Sequence, residues 1–180
     1  MEAVQPPVSI AAATRADLAG VRQLAGVVWR RHYPGIITHA QIDYMLGRGY
    51  SDDALARFLD EPGAGLALAS VDGAPVGFAA WCRADAAATT KLDKLYVLPE
   101  RHGHGVGRRL LSHVEDAARG DGAQTLVLNV NKRNAASIAF YRRCGFAVRE
   151  AVVVDIGEGF VMDDYVMAKP LAAPGGADLR

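Results

Sequence analysis

Three glycines separated by single residues lead into a helical pattern where residues 99–111 read PERHGHGVGRRLL. Glycine removes the Cβ that keeps a ligand off the backbone, and a helix start offers unpaired N–H groups at the positive end of its dipole. Such a segment is shaped to hold an anion, the alternative being a glycine-rich strand-to-helix turn with no ligand. Spacing rejects two phosphate loops. A Walker A loop requires Lys and then Ser or Thr after its last glycine, whereas Arg108 and Arg109 follow Gly107. A dinucleotide fingerprint beginning at Gly103 or Gly105 needs its third glycine where Arg108 or Leu110 stands. Further along, Asn134 and Tyr141 lie two helical turns apart and so share the face of one helix. His102 and His104 alternate with no third ligand at a useful spacing, so no metal site is expected. Cys82 ends an apolar run and Cys144 ends a helix without an activating partner, which argues against a thiol nucleophile.

The elements that must position these groups follow from periodicity. Residues 8–13 read as a strand, and Thr14 with Asp17 caps a helix whose Leu18, Val21, Leu24, Ala25 and Val28 share a face. Helices over 38–46 and from Ser51 through Leu59 follow. Residues 65–70 and 74–82 read as strands joined by the hairpin signal Asp72-Gly73, and 91–99 as a third strand. A helix over about 105–119 leads to 125–130, apolar enough for a strand covered on both faces. Asn134 caps a helix through Arg143, and 151–156 and 164–169 are the last strands, with 171–180 a loose tail. The expectation is an α/β fold, a mixed and mostly antiparallel central sheet flanked by helices, forming one domain over 1–170.

Composition sets the setting. Lys and Arg equal Asp and Glu at 20 each, so no global field favours nucleic acid, and any anion must be recognised locally. No run approaches the roughly 20 apolar residues of a membrane helix. The start, MEAVQPPVSI, lacks the basic-then-apolar pattern of a secretion signal, and two cysteines of unlike context make no disulfide framework. A cytoplasmic protein without a membrane or nucleic-acid partner is expected, with a homodimer as the expected assembly.

The glycine segment, entered from Leu95-Tyr96-Val97-Leu98-Pro99, resembles the pyrophosphate loop of the GCN5-related N-acetyltransferase superfamily. His102 stands where that family usually carries Gln or Arg, followed by Gly103, His104, Gly105, Val106, Gly107 and Arg108. The stretch LNVNKRNAASIAFYRRCGF, residues 128–146, is similar to the strand-loop-helix segment of the same family, with Asn134 and Tyr141 at its marked positions. The resemblance implies acetyl-CoA as cosubstrate, its pyrophosphate on the amides of residues 103–108 and its thioester beside a splayed, bulged strand around Tyr96 and Val97. It implies direct transfer of the acetyl group to a primary amine of a small molecule, polyamine-like or other, or to a peptide amino group. Tyr141 is then the proton donor to the leaving thiolate. Asp93, Glu158, Asp163 and Asp164 stay open as bases, each more often a solvated or turn carboxylate. Trp29, His32 and Tyr33 lie where the family places its acceptor helices, with aromatic packing as their default role. The competing reading is a module that binds acetyl-CoA as a sensor or docking unit without turnover.

Overall fold

A computed structural model describes residues 7–172. In chain order it contains β1 (Val8–Ala12), α1 (Leu18–His32), α2 (His39–Gly49), α3 (Asp52–Asp60), β2 (Gly65–Val71), β3 (Ala74–Arg83) and β4 (Thr89–Val97). Then come α4 (Val106–Gly120), β5 (Thr125–Asn131), α5 (Ala135–Arg143), β6 (Ala147–Gly157) and β7 (Phe160–Pro170). The seven strands form one sheet in the order β1-β2-β3-β4-β5-β7-β6. Neighbours run antiparallel except β4 and β5, which are parallel because α4 carries the chain back between them.

The strands alternate their side chains between two apolar layers. Phe78, Ala80 and Cys82 of β3 pack with Leu18, Val21 and Val28 of α1, Ile42 of α2, and Leu55 and Phe58 of α3. On the other face Ala79 and Trp81 join Leu92, Leu126 and Leu128 against Val106, Leu110 and Val114 of α4 and Ile138 and Tyr141 of α5. Local chemistry fixes the helix starts as the sequence suggests. Thr38 Oγ1 and Ser51 Oγ each accept an N–H three residues on, from Gln41 and Ala54, both at 3.2 Å. Asp72 and Gly73 turn the β2–β3 hairpin with φ of 49° and 78°, the doubly positive pair that a tight two-residue turn demands.

The last two strands are longer than periodicity indicates. β6 begins at Ala147, ahead of the expected 151, because it pairs with β7 along nearly its whole length while lying at the sheet edge. An edge strand wetted on both sides shows no alternation to read. The third strand ends at Val97, where Pro99 opens a short 3₁₀ turn over Pro99–Arg101. Leu171 is buried and donates its N–H to the Gln124 carbonyl at 2.8 Å, so the packed part reaches beyond the expected boundary at 170. Residues 173–180 of the expected tail lie outside the described residues.

Candidate active site

The parallel pair is short. β4 and β5 are joined only over residues 89–92 and 125–128, and beyond them the strands diverge. Trp81 lies opposite Leu92 and Ala80 opposite Lys94, which leaves Asp93 as the extra residue of a β-bulge. The bulge therefore sits at Asp93, ahead of the expected Tyr96 and Val97, where Lys94 is drawn under the helices. Its ammonium lies 4.6 Å from the Tyr50 ring centroid and 5.5 Å from that of Phe58.

Past the bulge the ladder decides which main-chain groups are free. Leu98 donates to the Val76 carbonyl at 2.8 Å, and the same register sets Tyr96 opposite Phe78. Antiparallel ladders alternate, so Tyr96 commits its N–H and C=O to β3, while Leu95 and Val97 turn theirs toward the gap beside β5. The Val97 carbonyl is found on that side, accepting from His102 Nε2 at 2.9 Å. Of the three strand residues expected at the thioester, Leu95 and Val97 thus offer backbone to the gap, and Tyr96 offers its ring.

At the mouth of the gap the glycine loop starts α4. Gly103 and Gly105 hold φ of 78° and 77°, and a Cβ on either would meet nothing within 4 Å. Backbone conformation, rather than crowding, requires glycine there. No acceptor among the described residues takes the N–H groups of residues 103–108; the first satisfied amide of the helix is that of Arg109, on the Gly105 carbonyl at 3.0 Å. Val106, 1% exposed, anchors the turn in the core. His104 Nδ1 donates to the His102 carbonyl at 2.8 Å, which stiffens the loop. The residues present suit a pyrophosphate: a row of free amides, Arg108 and Arg109 beside them, and open space outside.

The gap widens into a cavity of about 410 Å³ lined by His32, Tyr96, His102, Asn134, Tyr141 and Asp164 among others. Asn134, 4% exposed, caps α5 by accepting the Ser137 N–H at 3.3 Å, and its Oδ1 also accepts from His32 Nε2 at 3.1 Å. Burial lowers the pKa of His32 although the bond to Asn134 works the other way, and nearby His102 lowers it further. Tyr141 packs its ring between Phe140 and Phe146. Burial pushes its phenol well above the ordinary value, so it stays protonated and able to donate.

The four open carboxylates separate cleanly. Glu158 is exposed in the β6–β7 turn, and Asp163 is exposed and paired with Lys132. Asp93 lines the cavity, but Lys94 at 2.9 Å and Lys91 at 3.9 Å bring its pKa down against the opposing effect of burial. Asp164 is 3% exposed, lines the cavity, and its Oδ1 finds no partner among the described residues. Burial first, and then the charge of Asp163, push its carboxyl up to about 6. His32 is a contributor that sequence reasoning placed with the acceptor helices, with packing as its default role. Its partner Asn134 is 102 residues away, so no local signal pairs the two. No group of three or more His, Cys, Asp or Glu among the described residues is arranged to hold a metal. No helix there is long and apolar enough to cross a membrane.

Residues 29–146 match the sequence model of the Acetyltransferase (GNAT) family. An uncharacterised N-acetyltransferase of Mycobacterium tuberculosis is 30% identical over 138 residues, covering 77% of this chain and 87% of that protein. A peptidyl-lysine N-acetyltransferase of Salmonella typhimurium is 29% identical over 136 residues, covering 74% and 82%. Among solved structures, the PaiA N-acetyltransferase of Thermoplasma acidophilum, in complex with coenzyme A, superposes with a TM-score of 0.77 at 24% identity, covering 91% of this chain and 99% of that one.

Proposed function

The chain belongs to the GNAT family of acetyltransferases and is an acetyl-CoA-dependent N-acetyltransferase, and from that premise we propose that its acceptor is a primary amine, carried by a small molecule or a peptide. The amides of residues 103–108 and Arg108 grip the pyrophosphate. The backbone of Leu95 and Val97 pairs with the pantetheine arm, and one of their N–H groups faces the oxygen that gathers charge as the thioester is attacked. Asn134 and His102 flank the arm. Tyr141, neutral and undonated among the described residues, gives its proton to the departing thiolate. The acceptor enters from the side of α1 and α2, where Trp29, Tyr33, Met45 and Met162 line the cavity.

One observation supports this assignment above the others: the row of amides at 103–108 without acceptors opens directly onto the divergence of β4 from β5. The test is calorimetric titration with coenzyme A, followed by free-thiol release from acetyl-CoA with a panel of polyamines, amino acids, aminoglycosides and peptide N-termini. Binding is expected together with thiol release for at least one amine. Binding without release from any of them would remove the amine acceptor.

A further inference from the structure

The attacking amine must be neutral, yet an alkylamine of the lysine type, with a pKa of about 10.4, enters almost wholly as its ammonium at neutral pH. A group in the cleft has to take that proton. Tyr141 is committed to the leaving sulfur. His32 Nε2 already donates to Asn134, and Asp93 is neutralised by two lysines.

Asp164 differs from each of these. It sits in β7 opposite Asn131 of β5 and Val152 of β6, on the cavity wall, buried and without an ion pair among the described residues. The groups facing it are Asp163 on its own strand, Lys91 from β4, the Asn129 amide from β5, Lys132 beyond β5, and the Tyr33 phenol at the end of α1. Lys132 is engaged by Asp163. An unsatisfied buried acceptor is a standing penalty that folds rarely keep, and a bound donor relieves it. An ammonium is such a donor.

We infer that Asp164 is the catalytic base, its free Oδ1 accepting one proton from the acceptor's ammonium inside the cleft. This rests on the amine-acceptor reading above. The N–H bond breaks toward Oδ1, and the freed nitrogen pair forms the C–N bond to the thioester carbonyl as the C–S bond breaks. The sulfur takes the Tyr141 proton, and the amide nitrogen's surplus proton restores the phenol. The proton on Asp164 leaves to solvent, so ammonium and acetyl-CoA give amide, free thiol and one proton. The carboxyl, pushed up to about 6, is ionised at neutral pH and still basic enough to serve.

The test is a pH profile of kcat/KM for the full chain, Asp164→Asn and the neighbouring control Asp163→Asn. Each is assayed with the best basic amine of the panel and with trifluoroethylamine, a weakly basic amine mostly neutral at the assay pH. Asp164→Asn is expected to lose about 10²-fold or more with the basic amine. It should also lose the wild-type acid limb near pH 6, with a rate that climbs with pH instead. With trifluoroethylamine its loss should be only a few-fold. Asp163→Asn should keep the rate at neutral pH and an acid limb, the limb moving to lower pH because a charge that raises the Asp164 carboxyl is gone, and coenzyme A should bind Asp164→Asn as it binds the wild type. Added formate should restore turnover to Asp164→Ala. Retention of the acid limb by Asp164→Asn, or equal losses with both amines, would overturn the assignment while leaving amine acetylation intact. Failure of the wild type with every amine would instead remove both.

Discussion

Replacing Asp164 by Asn should make the protein more stable, by an amount that depends on pH. The carboxyl has a pKa of 3.8 when unperturbed and about 6 in the fold. That shift of roughly two units, at about 1.36 kcal/mol each, makes ionised Asp164 cost the native state roughly 3 kcal/mol. Because the folded pKa is raised, the native state binds the proton more tightly. Stability is therefore full below the unfolded value and is lost as pH rises through the folded one. At about pH 4 little of the penalty has developed, roughly 0.5 kcal/mol, whereas at about pH 8 all of it has. Asn has the same shape and no charge, so the variant should gain on the wild type as pH rises. In a chain of this size each kcal/mol moves Tm by about 2–4 °C. Calorimetric melts of both proteins at about pH 4 and about pH 8 should show the Tm difference widening by roughly 5–10 °C. A difference that does not change with pH would mean that Asp164 titrates normally in the fold, and the reasoning about its burial would fail.

Tyr141→Phe removes the phenol while keeping the ring between Phe140 and Phe146; turnover should fall by about 10²-fold with coenzyme A affinity unchanged by calorimetry. Gly105→Ala meets no atom but forces an L-residue to a φ of 77°, at a cost of about 1–2 kcal/mol, so calorimetry should show coenzyme A binding weakened about tenfold. Glu115, 8% exposed, holds Lys169 of β7 at 2.6 Å and Arg119 at 3.4 Å; Glu115→Ala should cost about 3 kcal/mol in urea unfolding and leave KM unchanged. Gly65→Ala drives a Cβ into the Trp81 ring, so urea unfolding should register a loss of about 1–3 kcal/mol from overpacking.

What the sequence disclosed is what is encoded locally. The strand ending at Val97, the glycine turn and the capped helix of Asn134 each lie within a single stretch, where spacing and residue type suffice. The divergence of β4 from β5 is a property of two strands far apart in the chain, and no window contains it. The bulge escaped for a related reason: whether Asp93 or Tyr96 is the extra residue depends on what β3 places opposite. Asp93, Glu158, Asp163 and Asp164 look alike as letters, and only burial and the charges that the fold sets beside them tell them apart. His32 meets Asn134 across 102 residues, a contact made only once α1 lies on the sheet.

Four rungs, residues 89–92 against 125–128, are all that stitch one half of the sheet to the other. The protein is built like a book with a short spine, its left leaf of β1 to β4 and its right leaf of β5, β7 and β6 falling open above it. On the proposed mechanism coenzyme and acceptor both enter that opening, and Tyr141 and Asp164 both belong to the right-hand leaf. The angle between the leaves therefore sets how far the proposed proton donor and acceptor stand from the left-hand page, where the thioester would lie. A substitution in the spine, at buried Thr90 for instance, would change both distances at once while touching neither ligand.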